Sequence, residues 1–401
     1  MILRVIGAVA ALLAAAAVSI VLLLWAQHNE AVTLPALTGP YPVGRTAFDW
    51  MEPRTEDLAP EMHAKRELTV WIWYPAFVDK SSVVSEYIPR PWRVALARRQ
   101  GPVMTNFMKH DTSLVRSHSF ANADIAPGQR TYPVILMKPG IGALALDYTT
   151  LAEDIASHGY IVVASDSPYS TFLVVFHNGR VAERRRAANA GENAPITEQN
   201  RVGNRIINTW VGDERFLLDH LTRLNTSRAF GRFRGRLNLH AVGVIGHSFG
   251  GATAAEFCFH DPRCKAGVDM DGIPFGQIVH KKLNHPFMFL MSDHSKEHDL
   301  ETKKITQEIQ SIYGRLPYGR QLVMIRNSGH FSFSDQPLIF NHAIARMSGI
   351  TGSIDPTRGL AAAASTVEAF LDVHLKGASP SKIRALKERY PELVFANDSN
   401  Q

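Results

Sequence analysis

Cysteine is scarce in this 401-residue chain, which has only Cys258 and Cys264. That excludes a cysteine-rich zinc framework, and although His260 lies between the two, no second pair of His or Cys ligands accompanies the group at a recognised spacing. The cysteines lie six positions apart, at the end of a predicted helix and the start of a predicted strand. This is close enough in the chain for a small-loop disulfide, and two buried free thiols suit the sequence equally well. Long runs of one charge are also missing. Lys and Arg total 43 against 37 Asp and Glu, a formal +6 spread along the chain, and the densest cluster, Arg184-Arg185-Arg186, reads as a solvated loop. Interleaved basic and aromatic residues, zinc-finger spacing and a Gly-rich phosphate loop are absent, so nucleic acids and nucleotides are not expected partners. No internal repeat is found either.

What is present begins with one long apolar run. Val5 to Ala26 carries no charge and a single polar residue, Ser19. As a helix it would be roughly 33 Å long, matching a bilayer core and exceeding the roughly 7 to 15 residues of a signal-peptide core. Leu24 and Trp25 precede Ala26, where small residues would be needed for cleavage. Arg4 stands before the run, while Glu30 and no Lys or Arg before Arg45 follow it. The positive-inside rule then keeps the short end cytoplasmic and the rest of the chain periplasmic or extracytoplasmic, with secretion after signal cleavage as the alternative. The expected organisation is an N-terminal membrane anchor over 1–28, a linker over 29–66, a catalytic domain over 67–378 and a C-terminal tail over 379–401.

The composition, 45% hydrophobic and 20% charged, is that of a globular chain. The linker is turn-laden at Thr38-Gly39-Pro40-Tyr41-Pro42-Val43-Gly44. Leu68, Val70, Ile72 and Tyr74 then alternate with Thr69, Trp71 and Trp73, a period of two that predicts a strand. After a long irregular insertion over 76–130, short apolar runs alternate with helical stretches: strands at 134–137, 161–164, 241–245, 266–270, 287–291 and 321–325, with helices near 148–158 and 204–224 and after 248. That rhythm means βαβ units, hence an α/β fold with a mostly parallel, doubly wound sheet. A last helix with Val367, Phe370, Leu371 and Leu375 on one face ends at Gly377. Periodicity fails over 168–203, where a cap or lid is expected.

Ala241 to Ile245 runs into Gly246-His247-Ser248-Phe249-Gly250-Gly251, and Ala252 to Phe257 suit a helix. An apolar strand, a sharp turn with small residues around a serine and an immediate helix form the nucleophile elbow of the α/β-hydrolase fold, with Ser248 as nucleophile. A serine hydroxyl needs a base and a carboxylate to orient that base. His330 sits in the loop after the strand Gln321 to Ile325, where the chain order of this fold puts the base. His342 is a rival, but its neighbours Phe340, Ala343, Ile344 and Met347 recur at helical spacing. For the acid, Asp271 and Asp293 each follow a predicted strand, and both placements are workable.

Three segments taken together, Gly246-His247-Ser248-Phe249-Gly250-Gly251, Val268-Asp269-Met270-Asp271-Gly272 and His330-Phe331-Ser332-Phe333-Ser334-Asp335, resemble the plasma-type platelet-activating factor acetylhydrolases and their bacterial relatives. The resemblance runs from about Thr38 to Lys376 and includes Glu67 to Pro75 and Ala156-Ser157-His158-Gly159-Tyr160-Ile161-Val162. It implies Asp271 as the acid. It also implies an oxyanion hole from the backbone N–H groups of Ile141, in Lys138-Pro139-Gly140-Ile141-Gly142, and Phe249. The family commonly has His where this chain has Pro139, a change that spares the Ile141 donor. The implied activity is hydrolysis of short acyl groups from phospholipid or related small-molecule esters, without metal or organic cofactor, next to a membrane reached through the N-terminal helix. Another ester class, or a catalytically silent binding module, are the rival readings. The sequence sets no oligomeric state.

Overall fold

A computed structural model describes residues 2–191, 194–297, 299–316, 318–341, 344–345 and 351–396. One sheet organises the molecule. Its strands run in the spatial order Val32–Thr33, Val115–Ala121, Val43–Thr55, Lys65–Phe77, Ile161–Asp166, Tyr132–Lys138, Leu237–His247, Cys264–Met270, Phe287–Met291, Gln321–Ile325 and Leu393–Phe395. From Ile161–Asp166 to Gln321–Ile325 every neighbouring pair is parallel. Parallel strands are buried on both faces, which is why these segments read as continuous apolar runs. The pleat sorts their side chains into two cores. Ile135, Met137, Val162 and Ala164 face the helices Thr149–Ser157 and Pro356–Leu375. Val134, Leu136, Ile161 and Val163 face the helices Ile196–Thr226, Phe249–His260 and Leu300–Arg315.

Four expectations need correction. The linker over 29–66 contains the 13-residue strand Val43–Thr55, paired antiparallel with Lys65–Phe77 from Val43 opposite Pro75. Its alternation is hidden because Arg45 is buried, donating to the Tyr87 carbonyl at 3.1 Å, while Arg54 pairs with Glu52 and Asp213. The described part of the tail over 379–401, residues 379–396, is likewise part of the domain. The helix Ser381–Arg389 carries buried Ile383, and Leu393–Phe395 pairs antiparallel with Gln321–Ile325, closing the sheet edge.

The insertion over 76–130 is not irregular. It holds the helix Arg90–Asn106, broken at Gly101-Pro102, and the strand Val115–Ala121. Trp92 of that helix meets Trp71 edge-on at 5.6 Å. Within 168–203, Leu173–Val175 and Val181–Glu183 form a hairpin turning at Asn178-Gly179, and the next helix starts at Ile196 rather than near 204. Cys258 and Cys264 form a disulfide, which decides between the two alternatives left by the sequence.

The first helix, Ile2–His28, is long and apolar enough to cross a membrane. Its C-terminal end is tied to the domain: His28 Nδ1 lies 2.8 Å from the Lys109 carbonyl, the Asp111 N–H donates to the His28 carbonyl, and Asn341 hydrogen-bonds Gln27. His342 and Ala343 lie outside the described residues, as does Met347.

Candidate active site

Ser248 stands between the strand Leu237–His247 and the helix Phe249–His260 at φ 57°, ψ −126°. A non-glycine residue there costs about 1–3 kcal/mol, so the surroundings must hold it. Its N–H donates to the Met270 carbonyl at 2.8 Å, and its carbonyl accepts from Gly251 at 2.9 Å. The glycines are needed for close approach. A Cβ on Gly246 would lie 2.1 Å from the Gly250 carbonyl oxygen, one on Gly250 2.2 Å from that of Lys138, and one on Gly251 1.9 Å from Asp269 Oδ1. Backbone and carboxylate thus pack directly against the elbow.

The loop after Tyr132–Lys138 reaches this turn from the side. A Cβ on Gly140 would lie 3.3 Å from Ser248 Cβ, so loop and nucleophile nearly touch. Gly142 adopts φ +79°, turning the chain after Ile141. The backbone N–H groups of Ile141 and Phe249 have no acceptor among the described residues. Phe249 owes this to its place in the first helical turn, where no intrahelical partner exists.

His330 lines the same cavity as Ser248 and meets Asp271. His330 Nδ1 lies 2.7 Å from Asp271 Oδ2. Asp271 sits at φ +53°, its N–H bonded to the Leu290 carbonyl, and its oxygens accept from the Ser292 N–H and hydroxyl, each at 2.8 Å. His294 Nε2 adds a contact to Oδ1 at 3.0 Å. Burial works to raise the Asp271 carboxyl, but hydrogen bonds and charge from His294 and His330 prevail and hold it far below the usual carboxylate range. Asp293 stands apart from His330. It accepts from the Asn327 and Ser295 N–H groups at 2.7 and 3.1 Å and braces the loop that carries His330.

His247 ties the halves together. Burial first, then the charge of His330, push its imidazole down to about 3, so it is neutral. Its Nδ1 accepts from the Tyr148 hydroxyl at 2.7 Å, and its Nε2–H donates to the His330 carbonyl at 2.7 Å. The same Tyr148 oxygen accepts from the Gly140 N–H at 3.2 Å. One hydrogen-bonded chain therefore fixes the Gly140 loop, the elbow and the His330 backbone.

A cavity of about 410 Å³ opens over these groups, lined by Ser248, His330, residues 140–144, Leu96, Phe172 and Phe340, among others. Part of its lining comes from the stretches 76–130 and 168–203, among them Tyr87, Leu96, Lys109, Phe172 and Arg184. The sequence reading missed His247, Ser292 and His294. The available signal was register: Met270 pairs with Leu290, so residues just past Met291 flank Asp271. It also misplaced Arg184, which lines the cavity rather than a solvated loop.

The sheet order, with its serine at a strand-to-helix elbow, makes the chain an α/β-hydrolase. Residues 26–186 and 194–382 match the family described as platelet-activating factor acetylhydrolase, isoform II, and the chain belongs to it; it is a serine ester hydrolase. A probable 1-alkyl-2-acetylglycerophosphocholine esterase of Arthroderma benhamiae is 25% identical over 392 residues, 90% of this chain and 93% of the relative. The platelet-activating factor acetylhydrolase of Canis lupus familiaris is 22% identical over 387 residues, 92% and 81% of the two. Among solved structures, a ferulic acid esterase from Streptomyces cinnamoneus superimposes with a TM-score of 0.74 at 25% identity, over 92% of this chain and 100% of that one.

Proposed function

We propose that Ser248, His330 and Asp271 form the catalytic triad, with the Ile141 and Phe249 N–H groups as oxyanion hole. The observation that carries this reading is the 2.7 Å contact between His330 Nδ1 and Asp271 beside a strained serine. With Nδ1–H given to Asp271, Nε2 is the ring nitrogen left to act as base. It takes the Ser248 proton as Oγ bonds to the ester carbonyl carbon, and the oxyanion takes the two free N–H groups. Collapse breaks the ester C–O bond, the alcohol leaves with the proton from His330, and water repeats the sequence to free the acid. Replacing Ser248 by Ala should cost about four or more decades in rate on a chain that remains folded. Retention of more than about a tenth of the activity would reject the assignment.

What supports a substrate class is the naming of two relatives for platelet-activating factor or its glycerophosphocholine ester. We assign this chain short-acyl esters of phospholipid type, met at a membrane in which Ile2–His28 is anchored, with the domain extracytoplasmic. The likeness to a ferulic acid esterase favours one second reading, a small aryl or polymer-derived ester. Rates on 2-acetyl phospholipids against p-nitrophenyl and feruloyl esters separate the two.

A further inference from the structure

Among the described residues, Arg184 is a cation without an anion. It lines the cavity that holds Ser248 and His330, is partly buried, and its side chain has no hydrogen bond or carboxylate partner among the described residues. Its neighbours are committed elsewhere: Glu183 pairs with Arg99 at 3.4 Å, and Arg185 donates to the Leu58 carbonyl at 3.1 Å. Among the described residues the cavity has one lining carboxylate, Asp147, which accepts from the Leu144 N–H at 2.9 Å and is faced by Lys109, itself hydrogen-bonded to Gln100. The Arg184 guanidinium lies over the oxyanion loop, with Nη1 2.9 Å from where a Cβ of Gly142 would be. A side chain at residue 142 would take that place, so the glycine also clears room for the arginine. Leaving a guanidinium partly desolvated and unpaired is costly, and its planar fork suits two oxygens of one anion.

We infer that Arg184 binds an anionic oxygen group carried by the ester substrate, a phosphodiester on the alcohol side or a carboxylate on the acyl side, and so sets specificity. This rests on the esterase reading above. In this role Arg184 touches substrate away from the reacting carbonyl, so its loss should change which esters are preferred rather than the chemistry common to all.

The test uses the full-length protein and two matched pairs of esters. One pair is a 2-acetyl glycerophospholipid and its 2-acetyl glycerol analogue lacking phosphate; the other is a p-nitrophenyl hemisuccinate and p-nitrophenyl butyrate. Replacing Arg184 by Gln should lower the anionic-to-neutral ratio of kcat/KM about 10- to 100-fold in at least one pair, with Arg184→Lys recovering part of it. A fall in the phospholipid pair places the anion on the alcohol side, and a fall in the hemisuccinate pair places it on the acyl side. Equal losses on all four esters would make Arg184 a brace for the Gly142 loop and overturn the proposal, as would unchanged ratios. If the unmodified protein cleaves none of them and a fluorophosphonate fails to label Ser248, the esterase reading itself fails and takes this inference with it.

Discussion

Asp271 answers to two imidazoles, His330 at 2.7 Å and His294 at 3.0 Å, and the two contacts have different consequences. If the His330 contact fixes the catalytic tautomer, Asp271→Asn should lower turnover per folded molecule about 10⁴-fold, over and above any fall in melting temperature that comes from losing the His294 contact. Asp293→Asn should stay within about tenfold of the unmodified protein, because the Asp293 carboxylate accepts from the 295 and 327 backbone and not from His330. The opposite ranking, measured with titrated active sites, would move the acid role to Asp293. The His294 contact is a matter of stability. Its hydrogen bond to Asp271 raises the imidazole to about 9, against roughly 6.5 in an unfolded chain. A raised folded value means the stabilisation is complete below about pH 6.5 and is lost as pH rises through about 9. Melting temperature should therefore fall between pH 6.5 and 9 in the unmodified protein and fall less in His294→Gln. Parallel curves for the two would show that the contact contributes nothing.

At the scale of elements, legibility in the sequence followed how each segment is buried. Strands such as 134–137 and 287–291 are covered on both faces and so consist of apolar runs that stand out. Val43–Thr55 was hidden because it lies among antiparallel and edge pairings and spends Arg45, Glu52 and Arg54 on polar contacts. Ser248 and His330 were legible because an elbow and a post-strand loop have local signatures. That Asp271 rather than Asp293 meets His330 was not, since which strand end faces the histidine is a property of the assembled sheet. The disulfide is an intermediate case, six residues apart in chain but decided by helix and strand placement. It ties the C-terminal end of the elbow helix to the first residue of the strand leading to Asp271. Closing so small a loop is worth about 2 kcal/mol on chain-entropy grounds. The double replacement Cys258→Ser with Cys264→Ser should lower the melting temperature by a few degrees while kcat stays within about twofold. A tenfold loss of kcat would mean that the tie positions the acid and not only the chain.

For the whole molecule the question is how the first helix relates to the cavity. Lys109, whose carbonyl lies 2.8 Å from His28 Nδ1, also lines the cavity, as does Phe340 next to the Asn341 that binds Gln27. The apolar helix therefore leaves the domain beside the mouth of that cavity rather than from a remote face. A bilayer around Ile2–His28 would bring that mouth to the lipid surface, and an ester with a long alkyl tail would have only a short distance to travel out of the membrane. If Val5 to Ala26 anchors the protein as proposed, that burial is not electrostatic, and the full-length protein should stay with membranes through high-salt washing and leave with detergent. Arginines at Ala14 and Ala15 together should each cost about 2.5–3.5 kcal/mol of insertion and shift the protein to the soluble fraction. The decisive comparison is enzymatic. That variant should keep its rate on a water-soluble p-nitrophenyl ester but lose most of its rate on the same short-acyl phospholipid presented in vesicles. Equal rates on vesicles for the two proteins would mean that the helix serves delivery of the chain and has no part in presenting substrate.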